Sequence, residues 1–184
     1  MSTKKLLVLA LGSLVCGLLP ASAGEFPDNW TWDDQPDSRA SHAALEGKPM
    51  PPLELSGWIN GEVKPAALKG KVVVVDFYAT WCGPCMRAIP HNNEMLKKYQ
   101  SKGLAIIGVC TNKKGQEIFA ANAKEHNIEY PAACDASLNS QKAWAVHYYP
   151  TYAVIDRKGI VRAIGLQPDH VEAVVQKLLA EPAS

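Results

Sequence analysis

An unbroken apolar run, Val72 to Val75, is followed within a few residues by Thr80-Trp81-Cys82-Gly83-Pro84-Cys85. No other feature constrains the fold as strongly, because it places two thiols where a buried strand ends and a helix begins. A strand through Tyr78 delivers Cys82 to the first turn of that helix, where free backbone N–H groups and the positive end of the dipole favour thiolate over thiol. Two intervening residues let the helix turn bring the sulfurs together, so a mixed disulfide at Cys82 can be attacked from within by Cys85. A single Cys-x-x-Cys is also half of a structural zinc site, which needs a second ligand pair. The sequence supplies none: Cys110 and Cys134 stand apart, and no histidine falls at ligand spacing with them. No metal site is therefore expected.

The N-terminus reads as a secretory signal over residues 1–23: Lys4 and Lys5, the apolar stretch Leu6 to Leu19, then Ala21-Ser22-Ala23 as a small-x-small cleavage site. The stretch is short for a membrane span and no later one approaches the length, so the mature chain is expected to be exported, periplasmic or secreted, without a span. Lipid anchoring through Cys16 is the alternative, but Ser13-Leu14-Val15 lacks the small residue expected just ahead of a lipidated cysteine. Cleavage moves the formal charge from +1 to −1 and leaves 161 of 184 residues. That balance suggests no nucleic-acid partner, and the length suits one domain with a substantial core. Four cysteines remain (82, 85, 110 and 134), an even number in an oxidising compartment.

Residues 24–48 are polar and proline-bearing and read as an extension, with Trp30 and Trp32 as large rings able to dock it onto the domain or, as the alternative, onto a partner. The domain itself is assigned to residues 49–184. Leu53 to Leu55 and Glu62 to Lys64 flank Asn60-Gly61, which predicts a hairpin, and Ala66–Leu68 predicts a helical turn ending at Gly70. From Lys71 strands and helices alternate: strand 71–78, helix about 84–101 closed by Gly103, strand 104–110, helix about 116–126, strand 131–134, helix about 139–146. Thr151–Ile155 and Ile160–Ile164 then flank the turn Asp156-Arg157-Lys158-Gly159, and Val171, Val174, Val175, Leu178 and Leu179 mark one face of a terminal helix. The pattern predicts an α/β fold with a mixed central sheet.

Cys110 and Cys134 end two apolar strands, each followed by polar turn residues. A helix crossing between them makes the strands parallel, so both ends lie on one sheet edge. Neighbouring strands about 4.8 Å apart lie within the range a disulfide spans, which predicts a second, structural bridge. Two buried free thiols are the alternative.

Over roughly residues 49–184 the chain resembles the thioredoxin superfamily, and more closely its exported TlpA/ResA-like thiol–disulfide oxidoreductases. The resemblance rests on Val75-Asp76-Phe77-Tyr78-Ala79-Thr80-Trp81-Cys82-Gly83-Pro84-Cys85, on Pro90 in the following helix, and on Tyr149-Pro150-Thr151 opening a later strand. It implies a thioredoxin fold in which the segment between the Cys110 strand and Pro150 is a central βα insertion. It implies that Pro150 follows a cis bond facing Cys82, with Tyr149 and Thr151 offering backbone to an extended client and Trp81 contacting it. It further implies that Asp76, a carboxylate at the end of an apolar strand whose pKa burial should raise, relays a proton for Cys85. Ala88 stands where many exported members carry glutamate, and Asp76 where many carry asparagine, which points to thioredoxin-like proton handling. His147 reads as a surface residue, and Pro90 as a helix kink.

The implied function is dithiol exchange with protein disulfides, the redox-active Cys82–Cys85 pair serving in place of a bound cofactor. Gly83-Pro84 matches thioredoxin and favours a reductase, which outside the cytosol needs a membrane electron donor. A disulfide oxidase or isomerase is the alternative, as is a chaperone holding Cu(I) on the same two cysteines. A peroxiredoxin fits less well, because Phe77–Cys82 lacks the proline and spaced Thr or Ser that precede a peroxidatic cysteine.

Overall fold

A computed structural model of the protein describes residues 25–32 and 36–182. The residues read as a signal sequence, its expected cleavage site and Cys16 lie outside the described residues.

Six strands form one mixed sheet: β1 (Ser56–Ile59), β2 (Val72–Tyr78), β3 (Leu104–Cys110), β4 (Ala132–Cys134), β5 (Thr151–Ile155) and β6 (Val161–Leu166), in the order β1-β4-β3-β2-β5-β6. The central strand β2 pairs parallel with β3 and antiparallel with β5, and β3 pairs parallel with β4. The helices are α1 (Pro36–Ala43), α2 (Gly83–Tyr99), α3 (Phe119–Glu125), α4 (Asn139–Ala143) and α5 (Pro168–Ala180). Strand alternation explains the layers. Val72, Val74 and Tyr78 face one cluster with Ile89 and Met95 of α2, Phe119 of α3 and Val174 and Val175 of α5. Val73, Val75 and Phe77 face the other, where the cover is Trp144, Val146 and the irregular segment containing Met50, Leu53, Leu55 and Leu68. Helices α2, α3 and α5 thus bury one face of β2, and the chain ahead of β2 together with the end of α4 buries the other. Trp144 holds part of that cover by meeting the Phe77 ring at a tilt, 5.5 Å between centroids, and donating its indole N–H to Pro52 O at 3.2 Å.

The α/β alternation lies where the sequence places it, with shorter ends: α2 passes into a 3-10 turn at Gln100–Lys102, and Gly103 closes it at φ 97°. The N-terminal hairpin differs. Asn60 and Gly61 do turn the chain at positive φ, but β1 pairs antiparallel with β4, through Ser56 with Cys134 and Ile59 with Ala132. Asn60 donates its amide to Ile128 O (2.6 Å) and Tyr130 O (3.1 Å), which fastens the turn to the β4 side. The return segment meets Pro65, which has no N–H for a ladder, and Val63 packs on the sheet instead.

The extension is folded onto the domain. Trp30 stacks on His170 of α5 at 4.8 Å, Trp32 meets Tyr148 edge-on at 6.5 Å, and Thr31 bridges Leu166 on the outer edge of β6. The tryptophan docking expected from sequence is what is seen, and α1 within the extension carries a fully buried His42, bonded to Ala145 O at 2.9 Å.

Candidate active site

Cys82 is the N-cap of α2: its backbone is extended (φ −83°, ψ 101°) and its sulfur accepts the Cys85 N–H at 3.2 Å. Proline in the first turn needs no hydrogen bond there, so Pro84 fits. The first turn holds no acidic residue, which leaves the dipole's positive end uncompensated beside the thiol. Cys82 and Cys85 form a disulfide with Cα atoms 5.3 Å apart. Both sulfurs are shielded, at 4% and 1% residue exposure, whereas Trp81 beside them is 54% exposed. Entry to the disulfide is therefore a narrow approach along Trp81.

The turn before Cys82 is held from the insertion. Thr80 donates its hydroxyl to Gly115 O at 3.0 Å, and Asn122 of α3 donates to Thr80 O at 3.3 Å. A Cβ on Gly115 would lie 2.1 Å from Thr80 Oγ1, and its φ is +89°, so this contact requires glycine.

Facing Trp81 is the loop before β5. The Tyr149–Pro150 peptide is cis, and the Tyr149 ring meets Trp81 edge-on at 5.9 Å. Thr151 is fully buried, in register with Phe77, and donates to Tyr148 O at 2.6 Å. Its side chain thus pins the loop, while half-buried Tyr149 stands with Trp81 at the surface. His147 is exposed, as read from sequence.

Between β2 and α2 lies a polar network that the sequence reading missed. Asp76 is 1% exposed, and its Oδ2 accepts from Asn92 Nδ2 (3.0 Å) and Tyr130 OH (3.2 Å); the Asn92 amide also reaches Tyr152 OH at 2.9 Å. Burial raises the Asp76 pKa to about 7, opposed by hydrogen bonds from Tyr130, Tyr152 and Asn92. Asp76 Oδ1 has no protein partner. Gly108 lies in register with Asp76 on β3, and a Cβ there would come 2.9 Å from Ala132 Cβ and 3.0 Å from the Tyr130 ring. The glycine leaves the room through which Tyr130 reaches the carboxylate. One signal for the network was available: Asn92 continues the buried helix face Cys85, Ala88, Ile89, Met95, where an amide needs partners.

Cys110 and Cys134 are cross-strand neighbours in register, as expected, but they are free thiols and the second bridge is not formed. In-register side chains of parallel strands point the same way and stay about as far apart as the strands, about 4.8 Å. A disulfide holds its Cβ atoms at about 3.5–4.5 Å, so these two strand ends would have to close up first.

A glycine-proline dithiol at the N-cap of α2, a cis-proline loop facing Trp81 beside it and a buried carboxylate on β2 bonded to the same helix form one constellation on a mixed sheet. The AhpC/TSA family model matches residues 47–164, from the end of the extension to β6. The chain belongs to the AhpC/TSA family. Among curated proteins, this family member is 32% identical over 136 residues to the thiol-disulfide oxidoreductase ResA of Bacillus cereus, covering 72% of this chain and 78% of that protein. It is 35% identical over 136 residues to Protein DipZ of Mycobacterium bovis, covering 68% of this chain and 20% of DipZ. Among solved structures it matches a thiol:disulfide interchange protein of the thioredoxin family from Chlorobium tepidum TLS, at 27% identity and TM-score 0.60, over 72% of this chain and 98% of that one. This AhpC/TSA protein is a thiol–disulfide oxidoreductase with a thioredoxin-like fold, and Cys82 and Cys85 are its exchange pair.

Proposed function

We propose that the enzyme reduces protein disulfides outside the cytosol, with Cys82 as attacking thiol, Cys85 as resolving thiol and Asp76 as proton acceptor. The observation that carries this is the disulfide-forming pair capped on α2, with a buried carboxylate on β2 bonded to the same helix and raised by burial to about 7. The Cys82 thiolate, favoured by the helix N-terminus, attacks one sulfur of a client disulfide and releases the other as a thiol. Cys85, shielded from solvent, then gives its proton towards Asp76 and attacks Cys82 Sγ, which frees the reduced client and leaves the Cys82–Cys85 disulfide. Trp81 and Tyr149 form the walls that a client segment passes, and the Tyr149–Pro150 backbone offers it a strand-like partner. Two electrons must then return from a donor, for which a membrane dithiol is the class an exported protein can reach. No helix among the described residues is long and apolar enough to cross the membrane, so the donor is taken to be a separate protein.

The reduction potential tests the direction. Equilibration with a dithiol buffer should give a value near thioredoxin's, about −270 mV. A value near that of a strong oxidant, about −120 mV, would assign the site to disulfide formation instead.

A further inference from the structure

A second pair of sulfurs lies across the same sheet edge. Tyr78, Cys110 and Cys134 are in register on β2, β3 and β4, and Cys110 and Cys134 share the face on which α2 and α3 pack. Their surroundings are unequal. Cys110 is fully buried and touches the backbone of Thr80, two residues before Cys82; Cys134, on a strand of only three residues, is partly exposed. Contact with Cys134 and burial both push the Cys110 thiol up. A partly exposed sulfur beside a buried, protonated one is the division of labour that thiol–disulfide exchange requires. Exposure adds a second condition. A bridge here would keep one sulfur partly exposed, and exposed disulfides are among the labile ones.

We propose that Cys110 and Cys134 form a second, reversible thiol–disulfide exchange site, entered at Cys134 and resolved by Cys110, whose reaction partner is a low-molecular-weight disulfide of the glutathione class. The Cys134 thiolate attacks one sulfur of the small disulfide; that S–S bond breaks, and one small thiolate leaves and takes up the proton Cys134 gave away. Cys110 then loses its proton and attacks Cys134 Sγ, and the second small thiolate leaves carrying that proton. Two electrons pass from the two protein thiols to the small disulfide, giving two small thiols and one Cys110–Cys134 bridge. A small partner is required because Cys134 is only partly exposed and β1 pairs beside it through Ser56. The chemistry is independent of the direction in which Cys82 and Cys85 work.

The test uses the full chain with Cys82–Cys85 oxidised, so that only this pair can respond. The protein is incubated with oxidised glutathione, quenched by alkylation under denaturing conditions, and mapped by mass. The expected result is one glutathione on Cys134, replaced in time by a peptide linking β3 to β4, with both states returning to thiols when reduced glutathione is added. Cys110→Ala should turn the adduct from a minor into the main species, and Cys134→Ser should abolish both products while leaving the Cys82–Cys85 exchange intact. Two alkylated thiols at every time point, or a first adduct on Cys110, would overturn the proposal. So would a bridge that withstands excess reduced glutathione, since that describes a permanent staple.

Discussion

At the scale of single residues the decisive group is Asp76. Its folded pKa of about 7 lies above the unfolded value of about 3.9, so the folded state binds the proton more tightly. The stability it lends is fully present below about pH 4 and is lost as pH rises through 7, a change of about 4 kcal/mol. Asp76→Asn should therefore unfold at higher denaturant concentration than wild type at pH 8, while slowing exchange about a hundredfold through loss of the proton acceptor. Tyr130→Phe separates the two effects. It removes a donor to the carboxylate, so the rise in exchange rate with pH should keep its form and move upward by about one unit. Stopped-flow exchange rates from pH 5 to 9, with denaturant titrations at the same pH values, check both variants. An unmoved profile in both would leave Asp76 a structural acid.

At the scale of elements, the site depends on how closely β2, β3 and β4 pass one another. Gly108→Ala should cost about 1–3 kcal/mol by overpacking against Ala132 and Tyr130, and Ala132→Gly in the same chain should recover part of it, as thermal unfolding can measure. Local elements were legible in the sequence because their signals are local: four valines, a dithiol at a helix start, a glycine after a helix, and a proline whose setting matched a cis site. Partners across the sheet were not. The hairpin turn was readable in Asn60-Gly61, yet the side chain of Asn60 fastens it to β4, and no nearby residue reports that. The register of Cys110 with Cys134 was readable too, but whether the two sulfurs are bonded is not something strand order conveys. Tyr130 comes to Asp76 from the segment ahead of β4 and Tyr152 stands in register with it on β5, and only Asn92 left a trace, as a polar residue on a buried helix face.

At the scale of the whole molecule, the extension closes the edge of the sheet and reaches the site. Trp32 N donates to Gly165 O and Gln167 N to Trp30 O, which covers the outer backbone of β6. Arg162 gathers Glu25 of the extension, Asp156 of the β5–β6 turn and Glu181 beyond α5. Burial alone would raise the Glu25 carboxyl, but hydrogen bonds from Arg162 and Lys177 hold it below its ordinary range. Arg162→Met should cost about 2–3 kcal/mol and speed limited proteolysis within residues 25–46, with exchange largely retained because Cys82, Cys85 and Asp76 are untouched. All of this architecture serves the claim that Cys82 attacks and Cys85 resolves, and trapping the intermediate tests that claim most directly. Cys85→Ser, reduced and mixed with a disulfide-bonded protein substrate, should accumulate a thiol-sensitive adduct through Cys82, whereas Cys82→Ser should give none. No adduct with Cys85→Ser, or an equal one with Cys82→Ser, would contradict it.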